Sequence, residues 1–201
     1  MQKTDYLQDI TEIRSMMERS SRFISLSGLS GVMAGVYALA GAGVAHACLS
    51  QYRAGQLGSY GTVVGYLFII AATVLLLAVG TGIWLTTRRA RRQGQKVWDA
   101  TARRLIIHLL IPLVAGGVFC LILVGQGYTG IVAPSMLMFY GLALINASKY
   151  TLTDVMYLGL AEVALGLLSA IVIGYGLLFW AIGFGVLHLV YGASMYYKYE
   201  R

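Results

Sequence analysis

Charge is what this sequence has least of. Only 11% of its 201 residues are Asp, Glu, Lys or Arg, against roughly 25% in soluble domains. Apolar residues make up 58% of it and the mean hydropathy is +0.73. A chain this short of charge has no means of wetting a surface, which excludes a water-soluble enzyme, and it is too apolar for intrinsic disorder. Two cysteines make no disulfide scaffold, and the 25 glycines show no collagen-like period. C-x-x-C, H-E-x-x-H, G-x-S-x-G and Walker sequences are all missing. The links between apolar runs are too short for a nucleotide domain. The expectation is therefore an all-α, polytopic membrane protein, with no enzymatic activity and no resident cofactor or metal.

Apolar runs, in contrast, are plentiful. About 20 residues at ~1.5 Å each cross the ~30 Å of hydrocarbon in a bilayer. Six stretches satisfy this, over 23–48, 60–86, 104–125, 131–149, 154–174 and 177–197, and they predict a six-transmembrane-helix bundle. Fourteen of the fifteen basic residues fall on one side of that map. They are Lys3, Arg14, Arg19 and Arg22 before span one, then Arg88, Arg89, Arg91, Arg92, Lys96, Arg103 and Arg104 in the second link. Lys149, Lys198 and Arg201 complete the set, and Arg53 alone lies opposite. Basic residues are retained in the cytoplasm, so both termini are expected inside. Tyr52, Tyr60, Tyr128, Tyr175 and Trp180 then mark outer interfaces, and Trp84, Tyr150, Tyr157, Tyr196 and Tyr197 inner ones. The net charge of +7 needs no nucleic acid to explain it. Arg88, Arg89, Arg91 and Arg92 are candidates for anionic lipid headgroups as well as determinants of topology.

Residues 1–22 do not span. Tyr6, Ile10, Ile13 and Met17 recur at helical spacing behind Thr4 or Asp5 as N-cap, which predicts an amphipathic helix at the cytoplasmic interface or on a cytoplasmic protein partner. Ala45-His46-Ala47 precedes Cys48, but the preceding apolar run is too long for a cleaved signal, and span one is read as retained. The run Glu12-Ile13-Arg14-Ser15-Met16-Met17-Glu18-Arg19-Ser20-Ser21-Arg22-Phe23, continuing through Ile24-Ser25-Leu26-Ser27-Gly28-Leu29-Ser30-Gly31-Val32, resembles the opening of a group of small, uncharacterised bacterial multi-span inner-membrane proteins. That resemblance covers about residues 12–40. It implies a bacterial inner-membrane location and carries no activity or ligand with it.

Ionisable residues within spans are costly and are default functional candidates. Glu162 is the single acid well inside a span, and His46, His108 and His188 accompany it, with Asn146 as an uncharged companion. Counted from Asp154, Glu162 lies roughly 12 Å deep; counted from Tyr197, His188 lies roughly 13.5 Å deep. Their spans form a hairpin about Gly174-Tyr175-Gly176, so a Glu162–His188 contact is geometrically allowed. Gly159, Glu162, Gly166 and Ser169 share one face of span five, and Ala181, Gly185, His188 and Gly192 one face of span six. Small residues of this kind mark close helix approach. Pro112 cannot donate to the His108 carbonyl, which predicts a kink near Asn146. Ser27, Gly31 and Gly35 form a further packing stripe, either internal or for homo-oligomerisation. Cys48 and Cys120 both fall toward the outer halves of their spans and leave a disulfide open.

Three functions fit this pattern. The first is passage of a small solute or ion along Glu162, His188, His108, Asn146, Tyr140 and Tyr191, gated by protonation of Glu162. Three similar hairpins suggest a pseudo-repeat, although no residue-level repeat supports one. The second is a membrane scaffold or regulatory subunit acting through residues 1–22 and the basic 87–104 link. The third is haem held by two histidines, which is disfavoured because His108 and His188 differ in depth by about 7.5 Å.

Overall fold

The computed structural model describes residues 26–94 and 97–201. The expected amphipathic helix over 1–22, its four basic residues and Lys96 lie outside the described residues. Among those described there is no strand, and six helices are long and apolar enough to cross a membrane. They are α1 (Gly28–Arg53), α2 (Tyr60–Arg92), α3 (Ala100–Gly125), α4 (Val132–Ala147, within the span Thr129–Tyr150), α5 (Asp154–Ile171) and α6 (Gly176–Tyr199). Short 3₁₀ turns, Thr129–Ile131 and Ser148–Tyr150, flank α4. The protein is a multi-pass, all-helical membrane protein.

Every expected span has its helix, with shifts at the ends. The largest concerns α2, which continues to Arg92. Arg88, Arg89, Arg91 and Arg92 were expected in a link but occupy the last turns of a helix, where cations complement the C-terminal dipole. Asp99 caps α3, its side chain accepting the Ala102 N–H at 2.6 Å. The turn between α5 and α6 passes through Gly174 at φ 103°, a conformation that side chains resist.

The helices pack as a row and not as a closed ring. α2 lies on α1, α1 on α6, α6 on α4 and α5, and α3 on α4; the most extensive pairing is α4 with α5. The two ends of the row are therefore open to lipid. Phe68, Leu76 and Ile83 of α2, and Ile111, Val114 and Ile122 of α3, are exposed. Bilayer hydrocarbon is as apolar as these side chains, so their exposure carries no penalty there.

Glycine sets the close approaches. The Gly28, Gly31 and Gly35 stripe of α1 meets Gly185, His188 and Gly192 of α6, so that face is internal. A Cβ on Gly192 would lie 2.4 Å from the Val32 nitrogen and 2.7 Å from the Gly28 oxygen. Gly141 of α4 and Gly159 of α5 face one another in the same way, each leaving room for the other's carbonyl.

On one face of the row the helix ends are tied by a polar knot. Glu200, just past α6, accepts from the Gly28 N–H at the start of α1 and from Ser27 Oγ at 3.4 Å. Arg89 Nη1 lies 3.0 Å from the same carboxylate and also donates to the Leu26 carbonyl, while Nη2 donates to the Tyr199 carbonyl at 2.8 Å. Nearby, Asp154 at the start of α5 holds Lys198 Nζ at 2.9 Å and Tyr199 Oη at 2.8 Å. Arg89 is thus engaged in joining three helices, unlike its three neighbours in the arginine cluster.

Candidate functional site

Glu162 sits in the middle of α5, on the face that carries Gly159, Gly166 and Ser169, and all four residues are buried as their spacing predicts. Its exposure is 0%. Opposite stands α6, whose Ala181–Leu187 stretch is a π-helix between two α-helical segments. A π turn holds more residues than an α turn, which shifts the face that follows it. That shift brings Gly183, five residues before His188, against Glu162. A Cβ on Gly183 would lie 2.6 Å from Glu162 Oε2 and 2.5 Å from Leu137 Cδ2. A larger residue at this position would push the carboxyl group or the Leu137 side chain aside.

His188 is buried beside it, with Nδ1 3.5 Å from Glu162 Oε1 and 3.0 Å from the Gly183 carbonyl oxygen. A carbonyl only accepts, so Nδ1 carries the hydrogen and donates it to Gly183. In the neutral ring Nε2 then accepts from the Tyr140 hydroxyl of α4 at 2.7 Å. Phe184 stacks on the His188 ring and packs against Tyr140, fixing both planes. Each histidine nitrogen is therefore partnered. The carboxylate is not: neither oxygen of Glu162 makes a hydrogen bond among the described residues, and neither does Ser169 Oγ two turns further along the same face. Such atoms are scarce in folded proteins, because each one gives up hydration without replacement.

The other sequence candidates form a second group. Asn146 Nδ2 donates to the His108 carbonyl at 2.9 Å, the very oxygen that Pro112 leaves without its helical donor. Tyr150 stacks on the His108 ring and its hydroxyl lies 3.0 Å from Nε2. Lys149 Nζ lies 3.5 Å from Asn146 Oδ1. Leu144, Val155 and Leu158 form an apolar cluster, against which Tyr140, Tyr191, Leu26, Leu109 and Leu187 pack. Tyr191, one turn from His188, packs against that cluster. Nε2 of each of these two histidines faces a tyrosine hydroxyl, Tyr140 for His188 and Tyr150 for His108.

Arg88 stacks over the exposed Trp84 at 5.5 Å, and with Thr87, Arg91 and Arg92 these residues line an open depression at the end of α2. His46 is exposed on α1. Cys48 and Cys120 are both free thiols, with Cys120 Sγ 3.9 Å from the Val132 carbonyl.

Sequence reasoning found Glu162, His188 and Tyr140 but missed Gly183. The regular 3.6-residue stripe through Ala181, Gly185 and His188 passes it by. The available signal was the Gly183-Phe184-Gly185 run, dense in glycine just before a buried histidine. Comparison with family models, with curated proteins and with solved structures found no match for the chain.

Proposed function

We propose that this protein moves a small solute or ion across the bacterial inner membrane, with Glu162 as the group that binds and releases it. The observation that carries this reading is the fully buried Glu162 carboxylate without a hydrogen-bond partner among the described residues. A carboxylate kept for structure alone would be expected to use its oxygens, as Glu200 and Asp154 do at the basic end. Intramembrane acids held against a histidine and a tyrosine are the usual equipment of ion and proton pathways. The apolar cluster of Leu144, Val155 and Leu158 then acts as the barrier between this site and the His108–Asn146 group, in the manner of a hydrophobic gate. The basic asymmetry of the sequence supports cytoplasmic termini. It would set the Trp84–Arg88–Arg91–Arg92 surface at the cytoplasmic leaflet, where anionic headgroups suit it.

The test is reconstitution of the whole chain in phospholipid vesicles, followed by current measurements under imposed ion gradients. Current is expected with the natural chain and not with Glu162→Gln. Equal currents from both would refute the reading.

A further inference from the structure

We propose that the species handled at Glu162 is the proton, and that His188 delivers it by exchanging its Nδ1–H between the Gly183 carbonyl and Glu162 Oε1. This rests on the transport reading above and narrows it to one substrate. Three observations support the narrowing. Burial is the first: Glu162 is 0% exposed, and its Oε2 faces Gly183 so closely that a Cβ there would lie 2.6 Å away. The second is the shortage of ligands. A hard cation stripped of water takes about six oxygens, whereas the Gly183 oxygen and the Tyr140 hydroxyl are already bonded to His188. Besides Oε2, the atoms nearest a Cβ placed on Gly183 belong to the Leu137 and Leu165 side chains. Connectivity is the third. Tyr140 Oη, His188 Nε2, His188 Nδ1 and Glu162 Oε1 follow one another at 2.7 Å, across the ring, and at 3.5 Å.

The transfer balances without any further reactant. A proton arriving at the Tyr140 oxygen lets that oxygen pass its own hydrogen to Nε2. The Nδ1–H bond then breaks as an O–H bond forms on Oε1, its electron pair staying on Nδ1. Tyrosine and imidazole end neutral, the imidazole as its Nε2–H tautomer, and the carboxylate becomes a neutral acid. Run backwards, these steps return the proton to the Tyr140 side; net passage requires the Oε1–H bond instead to ionise toward the opposite face, after which the imidazole returns its proton from Nε2 to Nδ1. The ionisable side chains that α4 and α6 bring near Glu162 are Tyr140, His188 and, beyond Tyr140, Tyr191. Asp154 at the start of α5 is occupied by Lys198 and Tyr199. The π turn has a function in this scheme, since it sets the Gly183 carbonyl where His188 can rest between transfers.

The experiment uses the full chain in phosphatidylethanolamine–phosphatidylglycerol vesicles containing a pH-sensitive dye, with sodium, potassium and proton gradients imposed separately. The reversal potential should follow the proton gradient alone. His188→Gln keeps one donor and one acceptor but relays no proton, and it should slow proton flux on the order of 100-fold, the lower range of what a positioned acid–base group contributes. An unchanged circular dichroism spectrum and elution volume would show that the variant is folded. Tyr140→Phe should slow flux in the same assay. Glu162-dependent current that follows sodium or potassium and ignores pH would overturn the proton assignment while leaving the transport reading intact. Proton flux undiminished in folded His188→Gln would overturn the relay. No Glu162-dependent flux of any ion would remove the transport reading itself.

Discussion

Replacing Glu162 by methionine separates a functional carboxylate from a structural one. Glu and Met have similar length, so the thioether takes the place of the carboxyl group beside Gly183 and Leu137. In the natural chain two buried oxygens have surrendered hydration and gained no hydrogen bond among the described residues. A buried polar group in that condition costs about 1–3 kcal/mol, and methionine removes the cost while keeping the packing. Glu162→Met should therefore raise stability by about that amount, a rise in Tm of roughly 2–12 °C for a chain of this size. The assay is thermal unfolding followed by circular dichroism in one detergent, with proton flux measured on the same preparation in vesicles. The expected combination is a more stable protein that transports nothing, the usual trade where a site is held in a destabilising state. The contrary result is equally clear. Breaking a buried ion pair by removing one partner costs about 3–5 kcal/mol. A fall in stability of that size would mean that Glu162 and His188 are bound to one another to hold α5 on α6, and the reasoning about an unpaired carboxylate would be refuted.

Three further sets of substitutions probe the frame around the site. Asn146→Leu leaves the His108 carbonyl without its donor and should cost about 1–3 kcal/mol; adding Pro112→Ala restores a helical N–H and should recover most of the loss in denaturation measurements. Arg89 and Glu200, with side chains 12% and 15% exposed, are nearly buried, so Glu200→Gln and Arg89→Ala should each destabilise by about 1–3 kcal/mol, between the surface and buried limits. A double-mutant cycle should show them to be strongly non-additive, and additive losses would dissolve the proposed knot. Gly192→Ala forces a methyl group onto the backbone of Val32 and Gly28 and should lower Tm markedly, overpacking costing about 1–3 kcal/mol or more. Gly43→Ala, with open space around it, should leave Tm unchanged or slightly raised.

Much of the frame is legible residue by residue. The apolar runs locate six helices because each charged group in hydrocarbon is expensive wherever it sits. The Gly159–Glu162–Gly166–Ser169 face was readable because regular α-helical spacing holds through α5. It failed in α6, where the π stretch changes the phase and exchanges the expected stripe for two faces. Gly185 and Gly192 meet α1 there, while Gly183 and the His188 side chain meet Glu162. Arg89 shows the limit from the other side: among four arginines of identical local character, one joins three helices because the chain end happens to reach it.

The sequence by itself determined six helices long and apolar enough to cross a membrane among the described residues, and it singled out Glu162 as the lone acid well inside one of them, since composition and local periodicity decide both. Only the tertiary structure decided which polar groups are satisfied. Asn146 finds a carbonyl freed by Pro112, Glu200 finds Arg89 and the start of α1, and Glu162 is left with a histidine turned toward Gly183. The physical reason is that a hydrogen bond is a property of two groups, and these pairs are far apart along the chain. Whether a buried carboxylate is a strut or a proton site therefore depends on neighbours that no local pattern encodes.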